Sequence, residues 1–322
     1  MSTPIRLGTR SSLLAMTQSR WVAERLAAAS GREVELVEVS TTGDRVDTPL
    51  AQLGGTGVFV SALREALLEG RIDVAVHSLK DLPTAPADGL ALAAVPLRED
   101  PRDVVVARDG LTLGELPVGS RVGTGSPRRA AQLHALGLGL EIVDIRGNVD
   151  TRIRKVREGD YDGVVLARAG LARIGRLEEA TEVLDPLQML PAPGQGALAV
   201  ETRADDHATE VAALDDLRSR AAVTAERAVL ATLEGGCAAP IGALAEVVEG
   251  EHDEELWVRA VALSPDGTLA VRMSATGDPA DAAGVGGRLA SDMLAEGAAQ
   301  LTDTQPSTPH EQPVTDCERQ EA

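Results

Sequence analysis

Residues 121–129 read RVGTGSPRR and join a short apolar strand to a helix through a glycine-containing turn. Ser126 is a favoured helix N-cap, and Pro127 suits the first helical position, where a missing N–H costs nothing. Free N–H groups at a helix N-terminus attract anions, and Arg128 and Arg129 add two positive charges that the helix dipole disfavours unless an anion compensates them. The stretch therefore predicts an α/β unit with an anion site at the strand end, rather than a solvent-facing first turn.

The same construction recurs further along the chain. A strand over 140–145 ends at Arg146, the next helix carries Arg152 in its first turn, and a strand over 163–167 leads to Arg173. In open α/β sheets, ligands bind just beyond the carboxyl ends of the strands. So many guanidinium groups at such positions favour a ligand with several carboxylates or phosphates, although any one of them could form a surface ion pair.

A first α/β lobe is predicted before this region. Its strands are expected over 5–8, 34–39 and 72–76, and its helices over 13–29 and 59–69. The chain therefore contains two α/β lobes in succession.

Polar residues also follow the strands of the first lobe. Arg10 comes directly after the first strand, and Ser11 or Ser12 is a candidate N-cap for the next helix. Lys80 and Asp81 follow the last strand. An adjacent Lys and Asp can be a solvated turn, but the position and the scarcity of lysine in this sequence make them candidate ligand-binding residues.

The C-terminal third predicts a small α+β domain. Residues 190–197, LPAPGQGA, indicate a crossover back to the first lobe before a strand over 198–201. The domain's elements then follow in the order helix, three strands and helix, over 218–233, 241–248, 256–263, 269–275 and 285–296. Residues 302–322 are rich in Pro, Thr, Gln and Glu and predict a disordered tail.

One cysteine lies in the part predicted to fold. Residues 233–240 read LEGGCAAP, so Cys237 follows two glycines and precedes a proline in a tight turn. Such a turn suits a covalent attachment, whereas the simpler interpretation is a buried, inert thiol. Cys317 lies in the polar tail, so no disulfide framework is predicted, and a reducing cytoplasm is the expected compartment.

Composition and spacing disfavour several classes of function. The net charge is −19 and aromatic residues are few, which opposes nucleic-acid binding. No apolar segment reaches membrane-spanning length, and no export signal is recognised. Residues 41–57 predict a mobile lid that lacks the Gly-Lys-Ser/Thr ending of a phosphate loop. The histidines show no metal-ligand spacing and are interpreted as surface or polar-turn residues: His77, His134, His207, His252 and His310.

A set of motifs follows in unbroken order from Arg6 to about Leu301: Arg10 with Ser12 and Gln18, HSLKDLP (77–83), GTGSPRR (123–129), RGNVDTR (146–152), PGQG (193–196) and LEGGC (233–237). Together these motifs resemble the porphobilinogen deaminase (hydroxymethylbilane synthase) family. One departure is Thr56, where the family usually has a lysine in a Gly-Gly-Lys-Gly loop.

The resemblance implies the fold class: α/β with three domains, of which two are periplasmic-binding-protein-like lobes and the third is a small α+β domain carrying the cysteine. The implied ranges are 1–97 with 197–216, 98–196, and 217–301. It also implies a monomer.

The resemblance further implies a transferase that binds porphobilinogen. Cys237 would hold a dipyrromethane cofactor through a thioether, and porphobilinogen units would add to it stepwise with loss of ammonia. After four additions, hydrolysis would release a linear tetrapyrrole.

Site residues follow from the resemblance in the same way. Asp81 would be catalytic, and no metal is expected. Cofactor binding is assigned to Cys237, Lys80, Asp81, Ser126, Arg128, Arg129 and Arg146. Substrate binding is assigned to Arg10, Ser12, Gln18, Arg146, Arg152, Arg173 and Gln195. The alternative is an anion-binding or sensor protein on the same two-lobed scaffold, with no chemistry and an inert cysteine.

Overall fold

The computed structural model describes residues 3–39, 57–204, 206, 208–233, 239–250 and 253–302. Several features discussed above lie outside these ranges: Cys237 with its two glycines, residues 41–56 of the predicted lid including Thr56, the tail from residue 303 with Cys317, and His207, His252 and His310.

The secondary structure alternates between strands and helices over most of the described chain. The strands are β1 (Ile5–Thr9), β2 (Val34–Glu38), β3 (Val74–Ser78), β4 (Leu90–Ala94), β5 (Asp103–Ala107), β6 (Arg121–Gly123), β7 (Glu141–Val143), β8 (Gly163–Ala167), β9 (Glu182–Val183), β10 (Leu198–Arg203), β11 (Ile241–Glu249), β12 (Glu254–Leu263) and β13 (Ala270–Gly277). The helices are α1 (Leu13–Ser30), α2 (Gly57–Leu68), α3 (Pro127–Ala135), α4 (Val149–Arg157), α5 (Arg168–Arg173), α6 (Ala208–Ala212), α7 (Leu217–Thr232), α8 (Ala282–Ala295) and α9 (Ala298–Thr302).

Local sequence sets where several helices begin. The Ser12 side chain accepts a hydrogen bond from the backbone N–H of Ala15 and starts α1, so the predicted cap is Ser12. Asn148 caps α4 and Asp216 caps α7 in the same way. Gly31, with φ of 66°, ends α1 in the left-handed conformation that glycine adopts without a Cβ penalty.

Two lobes share one sheet topology. The strand order is β2-β1-β3-β10-β4 in the first lobe and β7-β6-β8-β5-β9 in the second. In each sheet the first three strands are parallel, and the fourth, β10 or β5, runs antiparallel to both of its neighbours. The chain enters the second lobe before β5 and returns to the first lobe before β10. These two connections lie side by side, because the N–H of Glu99 donates to the carbonyl of Gly196 at 3.3 Å.

Helices cover both faces of each lobe sheet. In the first lobe, Val22 and Leu26 of α1 pack against one face, and Leu63 and Leu67 of α2 pack against the other. In the second lobe, α3 and α4 divide the faces in the same way. The carboxyl ends of the parallel strands are left uncovered between the lobes, where a ligand can reach them.

The third unit is an antiparallel sheet in the order β11-β12-β13, with α7 and α8 packed on one face. Part of the opposite face contacts the second lobe, where Leu244, Val261 and Leu263 pack against Ala131 and Leu190. Two α/β lobes and a small α+β domain are therefore present, which confirms the fold class.

Some sequence-based boundaries were wrong. The strand expected over 72–76 begins at Val74, because the backbone N–H of Ile72 bonds to Ala66 at the end of α2 rather than to a strand. Strands β4 and β9 were not predicted. His77 is not a surface or turn residue: it lies in β3, is 7% exposed, and its Nε2 is 3.2 Å from the Glu201 carboxylate.

Candidate active site

A cavity of about 220 Å³ lies where the two lobes and the third unit meet. Its lining comes from the turn after β3, the start of α3, the crossover before β10, and the third unit. The lining residues are Lys80, Asp81, Gly125, Ser126, Pro127, Arg128, Arg129, Ala192, Pro193, Gln195, Leu230, Ala239 and Ile241.

The turn after β3 presents Lys80 and Asp81 to this cavity. A short 3₁₀ helix over Leu79–Asp81 is closed by a bond from the N–H of Leu82 to the carbonyl of Leu79. Leu79 and Leu82 are buried on the lobe side, so the two residues between them face the cavity. No described residue hydrogen-bonds the Asp81 carboxylate, which leaves both oxygens available to N–H donors of a ligand.

Lys80 has a lowered pKa but remains mainly charged near neutral pH. Burial of the ammonium group lowers the pKa of Lys80 to about 8, and the nearby Asp81 opposes that shift only in part. The positive charges of Arg129 and Arg128 lower it further, while Asp103 raises it. A negative ligand in the cavity would raise the pKa of Lys80 again, because an opposite charge favours the ionised form.

The start of α3 follows the sequence prediction, but its compensating anion is a residue of the protein. Ser126 caps the helix and Pro127 occupies its first turn. The guanidinium groups of Arg128 and Arg129 are buried and each donates to one carboxylate oxygen of Asp103, at 2.8 Å. The solvent-facing alternative for this turn is therefore wrong.

Asp103 connects this helix start to the crossover before β10. It is fully buried at the start of β5, and its Oδ1 also accepts a hydrogen bond from Gln195 Nε2 at 2.8 Å. Burial alone would raise the pKa of Asp103, but Arg128 and Arg129 outweigh it and hold the pKa far below its usual range. Asp103 is therefore ionised and fixes both arginines at the cavity.

Three buried polar atoms around Asp103 lack a hydrogen-bond partner in the described part of the chain: Nε of Arg128, Nε of Arg129 and Oε1 of Gln195. Buried polar groups are nearly always satisfied, so each such atom needs an explanation. All three residues line the cavity. A ligand with carboxylates and N–H groups would suit this mixed set of donors and acceptors.

The remaining predicted residues of the two lobes do not belong to the cavity lining. Ser12 caps α1, and the side-chain amide of the buried Gln18 donates to Ser78 Oγ at 3.2 Å, immediately before the Lys80 turn. None of six candidates lines the cavity as described: Arg10, Ser12, Gln18, Arg146, Arg152 and Arg173.

The outlying arginines of the second lobe have local partners. Arg146 is exposed and pairs with Asp144, whereas Arg152 Nε donates to the carbonyl of Gly147. Burial lowers the pKa of Arg152, and Arg129 lowers it further. Arg173 donates to the carbonyl of Gly196 in the crossover, and burial lowers its pKa to about 10.

Residues on both sides of the segment that contains Cys237 line the cavity. Leu230 of α7 and Ala239 both line it, and residues 234–238 between them are outside the described ranges. The attachment predicted for Cys237 therefore concerns a segment flanked by residues that line the same cavity as Asp81.

Sequence reasoning did not find Asp103, Arg98, Glu226 or Arg227 as contributors. Glu226 is fully buried in α7 and binds Arg98 through two hydrogen bonds of 2.7 and 3.0 Å. The sequence signal for Glu226 was its position on the apolar, inward-facing side of α7. A charged residue there indicates a buried partner, because charged side chains are rarely buried unpaired.

The described ranges contain neither a cluster of metal-ligating side chains nor a membrane-spanning helix. No group of three or more His, Cys, Asp and Glu residues there could hold a metal ion. Within the same ranges, no helix is both long and apolar enough to cross a membrane.

Comparison with known proteins gives concordant matches. Residues 5–211 match the family model described as porphobilinogen deaminase, dipyrromethane cofactor binding domain, and residues 220–295 match the C-terminal domain of the same family. The porphobilinogen deaminase of Nocardia farcinica is 58% identical over 306 residues, covering 93% of this chain and 88% of its own. That of Mycobacterium marinum is 58% identical over 304 residues, covering 92% and 96%.

Some solved structures are similar at lower sequence identity. One is a periplasmic binding protein of Salmonella typhimurium, which is 15% identical over 66% of this chain and 92% of its own, with a TM-score of 0.37.

Proposed function

The chain belongs to the porphobilinogen deaminase family, and we propose which of its residues is catalytic and which bind the cofactor and the substrate. The enzyme is a transferase of tetrapyrrole biosynthesis that binds a dipyrromethane cofactor and joins porphobilinogen units into a linear tetrapyrrole. An anion sensor without chemistry is not supported, because the relatives that cover most of the chain are enzymes.

Asp81 is the catalytic residue of this proposal. Its carboxylate faces the cavity, accepts no hydrogen bond from a described residue and lies beside cationic side chains. It is therefore placed to accept pyrrole N–H groups, to stabilise the positive charge that develops as ammonia leaves, and to transfer a proton. This free carboxylate in an arginine-lined cavity is the observation that carries the assignment.

The cationic side chains hold the carboxylates. Each pyrrole unit carries an acetate and a propionate, and guanidinium forks bind carboxylates with two parallel hydrogen bonds. When bound, the dipyrromethane supplies the free pyrrole position from which the product grows. Cys237 anchors it by a thioether, and the residues that hold it are Lys80, Asp81, Ser126, Arg128, Arg129 and Arg146. Incoming substrate is held by Arg10, Ser12, Gln18, Arg146, Arg152, Arg173 and Gln195.

The domain limits are also part of the proposal: 1–97 with 197–216, 98–196, and 217–301. They are supported by the three separate sheets and by the paired connections that precede β5 and β10. A cytoplasmic monomer that acts on porphobilinogen without nucleic acid is the proposed working form, and the net charge of −19 supports the last point.

The test is Asp81→Asn, assayed for turnover and for intact mass. We expect turnover to fall at least about 100-fold, because a positioned acid–base group contributes on that order. The mass should still exceed that of the bare chain by two condensed pyrrole units. Cys237→Ser should lack the excess mass, and Asp88→Asn, an exposed aspartate in the same loop region, should retain activity. Near-normal turnover in Asp81→Asn would remove Asp81 from the mechanism.

A further inference from the structure

Helix α7 contacts the turn that carries Asp81. The guanidinium of Arg227 donates to the carbonyl of Leu82 at 3.1 Å and to the carbonyl of Pro83 at 2.6 Å. One helical turn earlier, Val223 packs against the buried side chains of Leu79 and Leu82. Arg227 and Val223 are four residues apart and lie on one face of the helix, so α7 holds the turn through both a polar and an apolar contact.

The two carbonyls follow directly after the 3₁₀ helix that carries Asp81. The 3₁₀ helix ends at Asp81, and the N–H of Leu82 makes its closing bond. Pro83 has no N–H to donate, so its position depends on other contacts. Charge-assisted bonds from one planar guanidinium to two successive carbonyls fix the peptide units Leu82–Pro83 and Pro83–Thr84, which are the second and third after Asp81.

The helix that bears Arg227 is itself immobilised. The neighbouring residue, Glu226, is fully buried and bonds through its carboxylate to Arg98, to the N–H of Gly194 and to the N–H of Ala245. Arg227 therefore projects from a fixed point. Further along the same helix, Leu230 lines the cavity, and the chain then leads to Cys237.

From this geometry we infer that Arg227 is a positioning residue: it sets the place of the Asp81 carboxylate relative to the end of α7 that leads to the cofactor-bearing segment. Its described contacts with this turn are to backbone carbonyls, not to the Asp81 carboxylate. Its contribution acts through the backbone of Leu82 and Pro83, and it should therefore affect the rate of the chemical steps more than the binding of substrate. The inference rests on the proposed role of Asp81.

The test compares Arg227→Gln and Arg227→Lys with the parent enzyme, each normalised to its cofactor-loaded fraction by intact mass. In Arg227→Gln we expect kcat to fall on the order of 10- to 100-fold, because small displacements of a catalytic group have effects of that size. KM for porphobilinogen and the two-pyrrole mass excess should stay close to the parent values. Arg227→Lys should recover part of kcat, since an ammonium keeps the charge but lacks the fork.

The control is Arg218→Gln on the same helix, which removes an exposed arginine whose partner is Glu254. It should leave kcat and KM unchanged. A purely structural role for Arg227 predicts a lower melting temperature with a normal kcat per loaded enzyme, and that result would overturn the inference. Asp81→Asn is measured in parallel: if it is inactive while Arg227→Gln is normal, only the inference fails, and if it is fully active, the proposed role of Asp81 fails as well.

Discussion

Glu201 shows how a single buried carboxylate connects parts of the first lobe. It lies in β10, and Arg64 of α2 donates to its two oxygens at 3.0 and 2.7 Å. His77 of β3 approaches the same carboxylate, four residues before Asp81. Burial alone would raise the pKa of Glu201, but the bonds from His77 and Arg64 outweigh it, and the pKa falls to about 2. The ionised form therefore stabilises the lobe.

This shift predicts an acid-dependent loss of stability. The pKa of Glu201 is lower in the folded protein than its ordinary value of 4.5, so its contribution is complete above about pH 4.5 and is lost as the pH falls towards 2. We expect the difference in unfolding free energy between the parent and Glu201→Gln to shrink by about 1.4 kcal/mol between pH 5.5 and 3.5, one pKa unit's worth.

Urea unfolding at both pH values measures the difference. Glu24→Gln removes an exposed carboxylate of α1 and corrects for the change in net charge. A difference between parent and Glu201→Gln that is the same at pH 5.5 and 3.5 would contradict the folded pKa assigned to Glu201.

At the scale of elements, sequence patterns located the helices whose limits are set by neighbouring residues in the chain. Capping side chains and apolar periodicity placed α1, α3 and α7 within a few residues of their observed limits. Strand β4, LALAA, was not predicted because alanine and leucine have little preference for strands, and its conformation depends on pairing with β10. Elements defined by distant partners leave a weak local pattern.

The residues of the candidate site also fall into those with a local sequence pattern and those defined by distant partners. Lys80, Ser126, Arg128 and Arg129 were predicted at strand ends and helix starts, and they line one cavity. Asp103 was not predicted, because its partners lie 25 and more residues away along the chain and only the folded sheet brings them together. The cations at this site were predicted from the sequence, but the buried anion that binds them was not.

The crossover before β10 depends on one glycine. Gly196 has φ of 87°, and a Cβ there would lie 2.3 Å from the carbonyl oxygen of Glu99 in the other interlobe connection. Gly196→Ala should lower the free energy of unfolding by at least about 2 kcal/mol, because backbone strain and a backbone clash combine. Gly175→Ala should cost only about 1 kcal/mol, since φ is also positive there but no heavy atom lies within 4 Å. Equal losses in urea unfolding would show that the close approach of the two connections costs nothing.

At the scale of the whole molecule, three buried ionic clusters lie at the junctions between parts. Arg64, Glu201 and His77 join α2 to the sheet of the first lobe, and Asp103 holds α3 and the crossover against the second-lobe sheet. Glu226 and Arg98 join the third unit to the interlobe connections. Buried charge pairs add little stability compared with apolar packing, but breaking one is costly, so they favour a single arrangement of the parts. A site built from three units needs that arrangement to be fixed.

Among these buried charges, Glu226 should contribute most to holding the parts in one arrangement. Its two carboxylate oxygens accept bonds from Arg98, Gly194 and Ala245, which belong to the first interlobe connection, the second connection and β11. Glu226→Gln keeps the shape but leaves Arg98 without its counter-charge and turns an amide N–H towards donors. We expect a loss of about 3 kcal/mol in unfolding free energy, the lower end of the range for a broken buried pair.

The control is Glu254→Gln, which removes the exposed partner of Arg218 at the other end of α7. It should change the unfolding free energy by no more than about 0.5 kcal/mol. Hydrogen exchange should reveal where the loss occurs: in Glu226→Gln, α7 and the backbone around Gly194 should lose protection together, because one carboxylate holds both. Loss of protection confined to α7, or a stability change no larger than that of Glu254→Gln, would mean that the third unit is held to the lobes by its apolar contacts alone.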